Sequence, residues 1–537
     1  MMRPIAADRL LRRADWCWLL PEGRVARVIC LATDDLCASA RVVADDATAC
    51  GTIRGVERVD IASVSTRDGQ YDLALATNCD ASTLSRARQA LRAEGALYVE
   101  CGARTVGGVK RLERRLHAAG FGDVQRVMRW DASDADRAWL PLDSARALRH
   151  YFLRHHVSAR HPMRRFWLLM QRRAALVLVA GGWLPRGTVL IARAVDTRRS
   201  LRAPQGKAAN RGTVPWWVGA ASRLLAEPAS NDWLLLTPGS NAEAKAVGLV
   251  LDRAAKWPRA AVKLGRTGET MARCERGLRA LERLREYGVT ALGHAPEPVG
   301  RLVDAHGRLR GTVESAVSGR RLDTAVRSDT VSRLTVETTD WLTALAIATR
   351  GPPRDDAWER LLRPTVDRFR DGAGGLVDSA LCEEAVALLA GVKSLPTVFE
   401  HHDCRPWNIY RTRDHRLVAF DWDNARPHGL PAFDLLQCHA YLAFAVDGTL
   451  ATGRYAWSHR RAEAGRLGGV RRACRARYAD AVGLDDYAMR AMRAFVWMRL
   501  CADEVEVRRA GGAPLARSDV AQSLLGLWEA EARAALA

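Results

Sequence analysis

His401-His402-Asp403-Cys404-Arg405-Pro406-Trp407-Asn408 is followed, thirteen residues after the asparagine, by Asp421 in the run Phe420-Asp421-Trp422-Asp423. Between them the short apolar runs Ile409-Tyr410 and Leu417-Val418-Ala419-Phe420 flank the turn Arg413-Asp414-His415, which predicts a loop followed by a β-hairpin. Such a hairpin brings Asp403, Asn408 and Asp421 to one mouth. Two carboxylates and a carboxamide gathered there suit phosphoryl transfer, in which one carboxylate orients and deprotonates an attacking hydroxyl and hard oxygen ligands hold Mg²⁺. Any one of these aspartates alone reads as a turn or a cap. The set and its spacing carry the chemistry.

This block resembles the aminoglycoside phosphotransferase/choline kinase superfamily, whose signature H-x-D-x-x-x-x-N, then a hairpin and D-W or D-F, is matched by His401, Asp403, Asn408 and Asp421. Gly429-Leu430-Pro431-Ala432-Phe433-Asp434-Leu435 matches the family's G-x-P-x-x-D-L. The resemblance implies a bilobal protein-kinase-like phosphotransferase domain with a helical C-lobe. It implies Asp403 as catalytic base, Asn408 and Asp421 as metal ligands, His401 as a loop-shaping residue and Asp434 as a brace. His402 stands where the family usually has glycine, and Cys404 where a bulky apolar residue is common. Neither position is expected to supply a catalytic atom.

An enzyme of this kind needs an upstream half that holds ATP. Trp233-Leu234-Leu235-Leu236-Thr237 reads as a strand, Pro238-Gly239-Ser240-Asn241 as a tight turn over phosphates, and Ala246–Leu251 as the return strand. In Ala260-Ala261-Val262-Lys263-Leu264 one of only six lysines sits in a β-run, where the resemblance places the lysine that pairs the α/β-phosphates. A helix follows from Glu269 to Tyr287. Glu275, one turn before the Leu278/Leu281 stripe, is the expected ion-pair partner of Lys263, with Glu282 as the fallback. Gly311 to Gly319 resembles the strand and hinge that face adenine. ATP and Mg²⁺ are thus the implied cofactors. Beyond Asp434 the chain reads as helical, and Asp503, Glu504 and Glu506 either line a pocket for a cationic substrate or face solvent.

The first 140 residues alternate strands and helices: Val25–Leu31, a helix from Asp35 to Ala44, Tyr71–Ala76, a helix from Ser82 to Glu94, Gly95–Glu100, a helix around Lys110 to Ala119 closed by Gly120, and Asp123–Met128. This alternation predicts a mostly parallel α/β sheet. Over roughly residues 15–130 it resembles a class I S-adenosylmethionine-dependent methyltransferase domain of Rossmann-like fold. That family needs a glycine-rich turn after its first strand so that backbone can approach the cofactor. Here Leu31-Ala32-Thr33-Asp34-Asp35-Leu36-Cys37 has no glycine, and Asp60 as a ribose-binding acid reads equally as a turn residue. The expectation is a degenerate structural or docking domain, and S-adenosylmethionine is disfavoured as a cofactor.

At 537 residues the chain is long enough for three or four domains. The expected boundaries are a Rossmann-like, methyltransferase-like domain at 1–144, a basic connector at 145–230, an ATP-binding lobe at 231–318 and a catalytic lobe at 319–537. The net charge of +21 comes from 82 Lys+Arg against 61 Asp+Glu, and all but six of the cations are arginine, as in a GC-rich bacterial genome. Residues 145–230 alone hold sixteen Lys/Arg against Asp196 and Glu227, a local net of +14. With the charge concentrated there, neither the α/β domain nor the catalytic lobe reads as a basic nucleic-acid surface, which disfavours nucleic acid as partner and leaves a solvated linker, contact with an anionic membrane or a grip on an anionic substrate carrier. Twelve scattered cysteines without zinc spacing imply neither disulfides nor a structural metal. No apolar leader or run of ~20 apolar residues occurs, so a cytoplasmic protein, peripheral at most to the inner membrane face, is expected. A protein kinase is disfavoured by D-W-D in place of D-F-G and by the lack of an activation segment; a P-loop kinase, by the absence of its motif. The expected activity is ATP- and Mg²⁺-dependent transfer to a hydroxyl of a small molecule: a sugar, an aminoglycoside, an amino alcohol or a lipid-linked saccharide. The alternatives are a pseudokinase scaffold on an anionic surface, or a bifunctional protein retaining methyl transfer.

Overall fold

The computed structural model describes residues 10–23, 25, 27–31, 35–36, 38–40, 56–58, 69–77, 80–133, 136–155, 162–184, 187–195, 214–228, 232–239, 243–251, 257–304, 306–450, 452–510 and 519–537. Asp60, Ser240 and Asn241, and most of the turn after the first strand, lie outside them. The chain divides into two compact units, Met1–Leu278 with Pro298–Ala316, and Arg279–Glu297 with Val317–Ala537. Both expected fold classes are present, an α/β Rossmann-like part and a kinase-like part.

The first unit is built on one twelve-stranded sheet. β1 (Val28–Leu31), β2 (Val56–Arg58), β3 (Tyr71–Ala76) and β4 (Leu91–Cys101) run parallel in the order β2-β1-β3-β4. The near-continuous apolar runs of β1, β3 and the second half of β4 suit strands covered on both faces. The crossover helices are α1 (Ala81–Ala90), capped by Asp80 accepting from the Thr83 amide at 2.7 Å, and α2 (Val106–Ala118), capped by Thr105. α1 ends four residues before the expected Glu94. Leu91 leaves the helix to pair with Tyr71 in the sheet, where its side chain is buried, and the left-handed Glu94 then bends the strand.

The sheet continues through β7 (Thr188–Ala194), antiparallel between β4 and β5 (Phe121–Ser133), and then through β6 (Asp136–Pro141). β7 lies within the stretch read as connector. Its sequence, TVLIARA, is a buried central strand, so that part of 145–230 belongs to the sheet. β6 then pairs antiparallel with β8 (Trp233–Leu236), joining Ala138 to Leu236 and Trp139 to Leu235. From β8 the antiparallel order runs to β9 (Ala246–Leu251), β10 (Pro258–Leu264), β12 (Leu309–Ser315) and β11 (Pro298–Val303). One core therefore runs from Leu73 and Tyr98 through Val127 and Trp139 to Val262 and Val313. Trp16 and Trp18, and Trp217 of helix α4 (Trp216–Leu224), fill it, with the Trp217 indole donating to the Trp18 carbonyl at 3.0 Å.

Helix α5 (Gly268–Glu286) crosses the boundary between the units. The second unit is mainly helical, and its core packs α6 (Val331–Thr349), α7 (Phe433–Val446) and α8 (Asp486–Ala510) around Phe369, Phe399, Trp497 and Trp528. Its small strands include β13 (Arg320–Arg321), β14 (Val398–Glu400), β15 (Ile409–Arg411), β16 (Leu417–Ala419) and β17 (Arg426–Gly429). β15 and β16 form the hairpin read from the sequence, and β14 pairs with β17.

Candidate active site

The hairpin register sets Ile409 against Ala419, and the Phe420 amide donates to the Asn408 carbonyl at 3.0 Å. Asn408 and Asp421 therefore flank the same open end. Asp421 has φ 72°, a left-handed turn that ends the strand and starts the helical turn Trp422–Asn424. The Asn408 side-chain amide donates to the Asp403 carbonyl at 3.1 Å and to its carboxylate Oδ2 at 2.8 Å. The carboxamide oxygen of Asn408 is thus turned away from Asp403. Arg405 Nε lies 2.8 Å from Asp403 Oδ1, an ion-pair contact outside hydrogen-bond geometry, and its guanidinium sits over the Tyr441 and Trp407 rings.

The loop carrying Asp403 is held from behind. Asp434, in the first turn of α7, accepts from the His401 amide at 2.6 Å and the His402 amide at 3.0 Å. Burial, reinforced by the nearby charge of Glu400, pushes the Asp434 carboxyl up to about 7. His401 is fully buried. Its Nε2 lies 3.0 Å from the Phe420 carbonyl and its Nδ1 accepts from the Asp403 amide at 3.2 Å, so the proton resides on Nε2 and the ring ties loop to hairpin. Burial lowers its pKa, keeping it neutral in this role.

A charged cluster under the loop was not legible in the sequence. Burial disfavours the Glu400 charge, but Arg499 at 3.0 Å and His402 outweigh it and hold the carboxyl at about 2. His402 Nδ1 is 2.9 Å from Glu400 and its Nε2 is 3.5 Å from Asp503. Burial opposes protonation of His402, and these two carboxylates raise its pKa in spite of that. Asp503 and Glu506 both accept from Arg368, at 3.1 and 2.9 Å, so these two acids are engaged rather than simply solvated. Gly429 is required by close approach: a Cβ there would come within 2.3 Å of the Glu400 Cβ. Asp423, two residues after Asp421, is also buried.

In the other unit, Lys263 Nζ lies 2.8 Å from Glu314 Oε2, and both side chains are buried. The register explains the pair. Glu314 stands opposite Ala261, which puts it diagonal to Lys263 on the same face of neighbouring strands. Glu275, the partner expected from sequence, accepts from Arg301 Nε at 2.9 Å. Gly239 has φ 96°, the conformation a glycine supplies in a tight turn. Arg266 donates to the carbonyls of Pro238 and Ala244, and forms a buried bidentate pair with Asp15 at 2.8 and 3.0 Å. The pair joins residues 251 apart in sequence, a separation that local reading does not span.

Mg²⁺ demands oxygen ligands and keeps several waters, so one or two carboxylates with substrate phosphates suffice. The Asp421 carboxylate and the Asn408 carboxamide oxygen fit that requirement. Among the described residues no group of three or more His, Cys, Asp or Glu is arranged to hold a metal without such help. A separate cavity of about 470 Å³ lies at the C-terminal ends of β3 and β4, lined by Thr77, Cys101, Gly102, Gly108, Arg111 and Arg115 among others.

Residues 238–476 match the model of the Phosphotransferase enzyme family. The match supports a small-molecule phosphotransferase enzyme in this part of the chain, as the resemblance implied. Among solved structures, the chain is similar to a GDP complex of aminoglycoside 2'-phosphotransferase-IIIa, with 12% identity over 59% of this chain and 98% of that one and a TM-score of 0.35. It is also similar to an aminoglycoside phosphotransferase from Streptomyces rimosus, with 18% identity over 53% and 96% and a TM-score of 0.30. A third similarity is to a SAM-dependent methyltransferase from Thermotoga maritima, with 12% identity over 35% and 91% and a TM-score of 0.21. No curated protein matches the chain.

Proposed function

We propose that the protein is an ATP- and Mg²⁺-dependent kinase that transfers the γ-phosphoryl group to a hydroxyl of a small molecule such as a sugar, an aminoglycoside, an amino alcohol or a lipid-linked saccharide. The observation that carries this reading is the hairpin end flanked by Asn408 and Asp421, with Asp403 hydrogen-bonded to Asn408 at 2.8 Å.

In this mechanism Asp403 accepts the proton of the acceptor hydroxyl and aligns its oxygen for in-line attack. Arg405, beside Asp403, fixes the rotamer of that carboxylate. Asn408 and Asp421 would hold Mg²⁺, which when bound offsets charge on the phosphates. Lys263, oriented by Glu314, binds the nucleotide phosphates, and the Gly239 turn supplies backbone N–H groups to them. His401 and Asp434 act through the loop, keeping Asp403 at a fixed depth.

The test is nucleotide turnover by the full chain with Mg²⁺ across a panel of hydroxylated small molecules, read as phosphorylated product by mass spectrometry. Asp403→Ala is expected to abolish transfer while sparing nucleotide binding. Asp421→Ala is expected also to weaken metal-dependent nucleotide binding. Equal loss of nucleotide affinity in both variants contradicts the separate roles, and absence of any nucleotide binding by the wild type defeats the proposal.

A further inference from the structure

Helix α3 (Pro162–Ala180) presents an apolar face that the rest of the described chain leaves open. Its inner face is anchored. Leu168, Arg172 and Ala175 are buried, and Arg172 donates to the His155 carbonyl at 2.8 Å while its guanidinium lies over the Tyr151 ring. At about 100° per residue, Met163, Met170 and Val177 line up on the opposite side, with Phe166 and Trp167 beside them. All five are exposed, Trp167 by 61% and Val177 by 71%. A helix packed within a domain shows the reverse pattern, with its polar side outward.

The charges around this stripe bear on what chemistry suits it. Arg164 falls on one edge and Arg173 on the other, both exposed. From residue 144 to 195 the chain has ten arginines and no acidic residue. An apolar stripe with Trp and Phe, edged by arginines, is the pattern of a helix lying in the plane of a lipid interface, its arginine stems on the acyl boundary and its guanidinium groups on phosphates. Spanning is ruled out for this segment, since among the described residues no helix is long and apolar enough to cross a membrane. A second copy is a poor occupant, because a two-fold contact would set the arginine edges of both copies against each other.

We propose that α3 docks the protein on an anionic lipid bilayer, with Met163, Phe166, Trp167, Met170 and Val177 in the headgroup–acyl boundary and Arg164 and Arg173 on lipid phosphates. The proposal is independent of phosphoryl transfer, because none of these residues belongs to the catalytic set. The test is co-sedimentation of the full chain with vesicles of phosphatidylglycerol and phosphatidylcholine, against phosphatidylcholine alone. Binding is expected only to the anionic vesicles and to weaken with salt. Arg164→Ser with Arg173→Ser is expected to reduce partitioning about thirtyfold, and Phe166→Ser with Trp167→Ser at least about tenfold. Far-ultraviolet circular dichroism and nucleotide binding should be unchanged in both, as the side chains face outward. Failure of the wild type to bind anionic vesicles overturns the proposal. So does binding that survives the Phe166/Trp167 change, which would assign it to charge elsewhere in the basic segment. Self-association lost in that variant without vesicle binding would overturn it in favour of a second copy.

Discussion

Asp15→Ala is the sharpest perturbation of the architecture, because it separates what holds the first unit together from what fixes the Pro238 and Ala244 carbonyls. The Asp15 and Arg266 side chains are 3% and 1% exposed and meet through two charge-assisted hydrogen bonds of 2.8 and 3.0 Å. Removing one partner of a buried pair leaves the other charge uncompensated and costs about 3–5 kcal/mol. Arg266 keeps its bonds to the Pro238 and Ala244 carbonyls, so the lower end, about 3 kcal/mol, is expected. Asp15→Leu combined with Arg266→Met removes both charges. By the same reasoning it should recover most of that loss, since an apolar pair of similar volume needs no desolvation. The turn carbonyls would then lose their shared donor, and the Michaelis constant for nucleotide should rise several-fold although stability has returned. Urea unfolding gives the first quantity and nucleotide titration of turnover the second. An Asp15→Ala variant within about 1 kcal/mol of wild type would refute the assigned weight of the pair. A double variant with wild-type nucleotide affinity would refute Arg266 as the anchor of the turn.

Glu314→Ala should destabilise the first unit by about 3 kcal/mol and raise the Michaelis constant for nucleotide, because Lys263 is left buried without its diagonal partner; urea titration and initial rates check both. Gly429→Ala forces a Cβ into Glu400, so a loss of about 1–3 kcal/mol or more and a matching fall in transfer are expected, measured by unfolding of the purified variant. The pH profile of stability should have two flanks. Glu400, held at about 2 against an ordinary value near 4.5, contributes stability that is present above about pH 4.5 and lost as pH falls towards 2. Asp434, raised to about 7, contributes stability that is fully present below about pH 4 and lost as pH rises through 7. His402, also raised, loses its contribution in the same direction. Asp434→Asn should flatten the flank between pH 4 and 7, and urea midpoints that keep the wild-type slope there would count against the buried carboxyl as its source.

The continuous sheet changes what the N-terminal region does for the rest of the first unit. The β6–β8 pairing and the core shared by Trp16, Trp217 and Val262 make the Rossmann-like strands the structural neighbours of the strands that carry Lys263.

What the sequence determined by itself is the part that depends on near neighbours. The hairpin at Ile409–Arg411 and Leu417–Ala419 and the loop from His401 to Asn408 follow from turn chemistry, short alternating runs and spacing, all local quantities, while the brace at Asp434 is what the family resemblance of its motif implies. The strands Tyr71–Ala76 and Trp233–Leu236 were legible for the same reason. Tertiary structure alone decided which strands are adjacent and which charges meet. Lys263 is 51 residues from Glu314, Arg266 is 251 from Asp15, and β7 enters the sheet from a stretch whose arginines read as linker. A stripe on a helix can be read from periodicity, but whether the stripe or its opposite face is covered depends on what folds against it. In α3 the covering falls on Leu168, Arg172 and Ala175, and the larger apolar side chains face outward. Register and long-range pairing are set by burial summed over the whole sheet, and no window of neighbouring residues contains that sum.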